Sequence, residues 1–317
     1  IEVKGGDSEL PGADGGNVRI NAGSASRGYG GNVTIAGGIG DLIPGQVFIQ
    51  SGRGLSSSGT VSLSSDRAGI LGDSGDVEIT SGEARNGNSG RLRLGTGEGS
   101  KKAGAIQLSV GKSNGGVGSG MSLSAGNSSV AYSSGGNVTL TGGSALGSFS
   151  TGGGVVLNGG EAQTAAGGSV VLISGKSSRS TSGDVILMTT NSTVGRTGDI
   201  KLVAGTSTNA IGGTVLIRAG GSDMNTGGDL DITSGSGWRS SSGATNIGTA
   251  NAGWTGVSGN MKLYTGSTSS GSSGSVEVNT GTANLGKGGD IRITVGSGNS
   301  GDGGKLILSS GGSKYKK

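Results

Sequence analysis

The residues that could do chemistry in this 317-residue chain are carboxylates and indoles, because it contains no histidine and no cysteine. That absence removes Ser-His and Cys-His nucleophile pairs, haem ligation by histidine, and zinc sites drawn on either side chain. Acid–base work would fall to aspartates at one recurring position. Asp184 and Asp199 hold it in successive copies of a repeat, with Asp229 further along, and a row of carboxylates is one way to cleave a polysaccharide. The same position also holds Asn17, Asn32, Asn137, Asn260, Asp76 and Asp290. Asn and Asp in that pattern read more simply as turn residues that bond the local backbone. The chain is therefore expected not to be an enzyme.

Other ligand chemistry fares similarly. Calcium-binding repeats need Gly-Gly-x-Gly-x-Asp at a nine-residue period, whereas "GGDLDITSG" and "GGDIRITVG" recur on a 15-residue period without the internal glycine. Gly-Lys-Ser occurs at 111–113 and 175–177, but no Gly-x-x-x-x-Gly-Lys-Ser/Thr loop is present, so no phosphate cradle is expected. Neither a cofactor nor a metal is implied. Ice binding would need a regular threonine row, but the outward position reads Arg19, Thr34, Phe48, Ser62 and Glu78. Trp238 and Trp254, the only tryptophans, are candidates for stacking on a sugar ring, with packing inside their loops the favoured reading. Asn32, Asn127, Asn137 and Asn191 begin Asn-x-Ser/Thr sequons, which would make the chain a glycoprotein if it is secreted.

What must position these residues is a repeat. Val18, Val33, Val47, Val61, Val77, Leu92, Ile106, Met121, Val138, Val155, Val170, Val185, Ile200, Val215, Leu230, Thr245, Met261, Val276, Ile291 and Leu306 lead successive copies, mostly 15 residues apart. A second aliphatic follows two places later, as in Ile20, Ile35, Ile49, Leu63, Ile79 and Leu308, and alternation at a period of two is the mark of an extended strand. Glycine stands two places before the leading residue in every copy but the one with Ser119, and often five places after it, as at Gly23, Gly38, Gly82, Gly160 and Gly281. Positive backbone angles at corners are the expected reason. Small residues seven places on, such as Ala25, Ala145, Ser177, Ser192 and Ser207, would let an opposite wall approach closely.

The spacing predicts an all-β fold: a single-chain β-solenoid of about twenty 15-residue coils with parallel, in-register strands, one continuous array over residues 1–317 without a linker. A 30-residue coil, an antiparallel meander with long loops, and an intertwined trimeric fibre remain as alternatives.

Two departures from the repeat point to partners. Val156, Val171, Ile186 and Leu216 lie between the paired aliphatics, and Ile173, Met188 and Val203 follow them, where polar residues are expected. Such an apolar strip suggests a self-assembly interface with copies of the chain or other filament proteins, against cover by the chain's own loops. At the ends, Ile1 and Val3 look strand-like from the first residue, and Leu306 and Leu308 carry the repeat almost to the last. Uncapped coils would stack end to end.

Composition sets the outer bounds. The chain has 76 glycines, 2 prolines, 3% aromatic residues and 30% hydrophobic residues, too few large side chains for an ordinary core. The net charge of +4 is spread along the chain apart from Arg91, Arg93, Lys101, Lys102 and the C-terminal Lys314, Lys316 and Lys317, so no nucleic-acid partner is expected. No apolar run reaches the roughly 20 residues of a membrane span. A start at Ile1 is compatible with a processed, exported chain and equally with an excised fragment.

"GTANAGWTGVSGN" (248–260) and "GKGGDIRITVGSGNSGDGGKLILSSGG" (286–312) resemble the Gly/Ser-rich tandem-repeat surface or extracellular structural proteins of diatoms and other stramenopile algae. The resemblance implies a structural role outside the cell or on its surface, and carries no functional residues with it. The expected function is a non-enzymatic subunit of an extracellular filament or wall. The alternative is a viral or cell-surface adhesin fibre that binds glycans through its loops.

Overall fold

Alternating aliphatics between small residues favour an extended backbone, and glycine on either side allows two stretches of chain to come close. The computed structural model describes residues 1–70 and 72–313. The chain divides into two units, Ile1–Val156 and Leu157–Lys317, and the same motif builds each. A segment carries the aliphatic pair, a loop follows, and in many copies the loop's two ends meet at a neck before the next segment begins.

The neck is a single backbone hydrogen bond between glycines. In the first unit the amide of Gly31 donates to the carbonyl of Gly23 at 2.8 Å, and that of Gly45 to Gly38 at 2.8 Å. In the second, Gly168 donates to Gly160 at 2.8 Å, Gly183 to Gly175 at 3.0 Å and Gly228 to Gly220 at 2.9 Å. The donor in each case is the glycine two places before the leading aliphatic.

The reason for that glycine is space. A Cβ on Gly45 would lie 2.6 Å from the amide nitrogen of Gly38, and one on Gly168 would lie 2.8 Å from that of Gly160. Positive backbone angles occur elsewhere, at Gly12, Gly72, Gly271 and Gly301 among the described glycines. The expectation that the repeat's corner glycines serve positive angles is thus corrected to close approach of two backbones.

The β-solenoid is not what forms. Among the described residues there is no strand and no helix, so there are neither stacked coils nor parallel in-register strands, and the fold is not all-β. At the neck, Gly37 lies against Gly45 and Gln46 while Gly38 accepts from Gly45. Pairing at the neck does not extend along the arms into a ladder.

Burial gives the physical reason. The chain exposes 33053 Å², where a folded monomer of its 30.1 kDa mass would expose roughly 12,000 Å² and the unfolded chain about 44,000 Å². No described residue is buried, and even the leading aliphatics stay about half exposed, with Val170 at 53%. Ordering one residue's backbone costs about 1–2 kcal/mol. With glycine at 76 positions and two aliphatics per copy, too little apolar surface is available within the chain to offset that cost.

Candidate self-assembly surface

The loops are shaped by serine. In four successive copies the serine seven places after the leading aliphatic accepts a hydrogen bond on Oγ from the amide three residues on. Ser180 donates to Ser177 at 2.9 Å, Gly195 to Ser192 at 3.0 Å, Ala210 to Ser207 at 3.0 Å and Asn225 to Ser222 at 2.9 Å. These are side-chain-capped turns. The small residue at this place was expected to admit an opposite wall, but its hydroxyl closes a turn.

In the loops at Ser177, Ser207 and Ser222 the capped turn and a neck occur together, and between consecutive necks lies an arm. Gly168 donates its amide to Gly160 and Gly175 accepts on its carbonyl from Gly183. Between them, Ser169–Ser174 make no backbone hydrogen bond. The arm reads Ser-Val-Val-Leu-Ile-Ser, so alternation places Val170 and Leu172 on one side and Val171 and Ile173 on the other. It is apolar on both faces, free of charge and free of proline.

The expected strip falls on such arms. Val171 and Ile173 share one, Ile186 and Met188 the next, then Val203 and Leu216 follow on successive arms of the second unit, whereas Val156 ends the first unit. All seven are exposed, Ile186 and Leu216 each at 73%. Because the arms are not paired, these side chains do not form a ladder within the chain.

The other expected residues are also exposed. Ile1, Val3, Leu306 and Leu308 lie open near the ends, and Lys314, Lys316 and Lys317 lie outside the described residues. Trp238 is 91% exposed and Trp254 106% exposed, so neither is packed within its loop. The guanidinium of Arg239 sits 5.1 Å from the Trp238 ring centroid, a cation–π arrangement. The sequon residues Asn32, Asn127, Asn137 and Asn191 are exposed.

In two copies, at Asp199 and Asp290, the recurring aspartate is held by neighbouring cations, which the turn-residue reading missed; Asp184 and Asp229 have no such partner among the described residues. Arg196 reaches Asp199 at 2.6 Å and Lys201 lies 3.7 Å away; Lys287 and Arg292 flank Asp290 at 2.9 and 3.8 Å. The signal was legible as a cation three places before the aspartate and another two places after it, in "RTGDIK" and "KGGDIR". Exposed pairs of this kind contribute about 0–1 kcal/mol. The carboxylates gather into no group of three or more metal-ligating side chains among the described residues, and these residues enclose no pocket. Among the described residues no helix is long and apolar enough to cross a membrane.

Comparison with known proteins finds no matching family model, no similar curated protein and no similar solved structure.

Proposed function

We propose that the chain is a non-enzymatic structural subunit of an extracellular filament or wall, assembling with copies of itself or with other filament proteins. One observation carries this reading: arms such as Ser169–Ser174 present unpaired backbone groups and apolar side chains on both faces. An extended arm with open amides and carbonyls is satisfied by the edge of another extended chain. Repeating that arm on a 15-residue period multiplies weak contacts into a strong association. Lateral contact is assigned to Val156, Val171, Ile173, Ile186, Met188, Val203 and Leu216, and end-to-end contact to Ile1, Val3, Leu306 and Leu308. A location outside the cell or on its surface is proposed with it, on the resemblance to algal extracellular repeat proteins alone.

A second reading rests on the two tryptophans. Fully exposed indoles in loops, one with a guanidinium over its face, suit stacking on the apolar face of a sugar, as an adhesin would use. Electron micrographs of purified protein and retention on a glycan array separate the two. Regular filaments without glycan retention support the structural subunit. Discrete particles that bind glycans and lose them on Trp238→Ala replace it with the adhesin.

A further inference from the structure

The chain contains three Asn-Gly steps, at Asn86-Gly87, Asn114-Gly115 and Asn158-Gly159. Glycine after asparagine leaves the following amide nitrogen unobstructed, so it can reach the side-chain carbonyl carbon when the backbone is free to turn. The three steps sit in different surroundings. Asn86-Gly87 and Asn114-Gly115 lie at bends within loops, and nothing stands within 4 Å of where a Cβ on either glycine would be. Asn158-Gly159 lies at a neck. The Gly159 α-carbon faces the carbonyl of Gly168, with that carbonyl carbon 2.8 Å from a Cβ built there, and the adjacent Gly160 carbonyl is held by the Gly168 amide at 2.8 Å.

We infer that Asn86 and Asn114 are sites of spontaneous deamidation and that the neck protects Asn158. The step is intramolecular. The backbone nitrogen of Gly87 or Gly115 loses its proton and bonds to the asparagine Cγ, the Cγ–Nδ2 bond breaks, and ammonia leaves with that proton. Water then opens the resulting succinimide at either carbonyl, giving aspartate or isoaspartate. No oxidant or reductant takes part. Each event replaces a neutral amide by a carboxylate, lowering the net charge by one from +4, and isoaspartate also lengthens the loop's backbone by one carbon. At Asn158 the ring can close only when the neck opens, and one net backbone hydrogen bond lowers the open population roughly fivefold.

The test is peptide mapping by mass spectrometry of the full chain during incubation at neutral pH and body temperature. Amide-to-acid conversion is expected at Asn86 and Asn114 at similar rates, and roughly fivefold more slowly at Asn158. In Gly168→Ala, whose Cβ would stand 2.8 Å from the Gly160 nitrogen, the neck opens and Asn158 should convert as fast as the loop sites. Equal rates at all three sites in the unaltered chain overturn the inference. So does an Asn158 rate unchanged by Gly168→Ala, or absence of conversion at Asn86 and Asn114.

Discussion

Replacing Ile186 and Leu216 by aspartate should separate the lateral surface from the rest of the chain. Each side chain is 73% exposed, and complete burial of an Ile or Leu contributes about 1.5–3 kcal/mol. Covering the exposed part against a partner is therefore worth about 1–2 kcal/mol per residue. Removing it raises the concentration at which chains associate by roughly tenfold per substitution, and a carboxylate in an apolar contact adds a further penalty. The assay is sedimentation or light scattering across a dilution series. Charge alone also suppresses association, so Ile39→Asp with Leu55→Asp is the matched control: both residues lie outside the strip and are likewise exposed. The reasoning requires Ile186→Asp/Leu216→Asp to shift the threshold by about two decades and the control by far less. Equal shifts in the two variants, or none in either, would refute it.

Two further outcomes follow from the loops. Ser192→Ala removes the Oγ that accepts from the Gly195 amide at 3.0 Å, so that amide should exchange with solvent a fewfold faster, as expected for a net hydrogen bond of about 1 kcal/mol; unchanged exchange would show that the turn closes without its cap. Trp238 and Trp254, both exposed, should fluoresce like free tryptophan in water and be quenched almost fully by a soluble quencher in the dissociated chain, and resistance to quenching would mean that they are packed.

The local grammar was largely legible in the sequence, though its causes were not. Val33-Thr34-Ile35 and its counterparts read as strands, but no strand forms there. Alternation shows which residues can pair but not whether the partner lies in the same chain, because pairing depends on a balance of burial against entropy summed over the whole molecule. That balance separates the expected solenoid from the unpaired arms. The glycines preceding each leading aliphatic were visible as punctuation, but composition could not tell a positive backbone angle from the close approach that Gly45 makes to Gly38. Ser177, Ser192 and Ser207 were seen as small residues. Their turn-capping role depends on the amide three places on, a geometry that a rule based on size overlooks. The apolar strip was legible residue by residue, but its ladder was not realised, since a ladder exists only where arms pair.

The most direct measurement is hydrogen–deuterium exchange of the amides in Ser169–Ser174, in dilute dissociated chains and again after assembly. The account predicts unprotected exchange in the dissociated chain, where these amides have no backbone partner, and strong protection in the assembly. Protection already present in the isolated chain, or none after assembly, would contradict it.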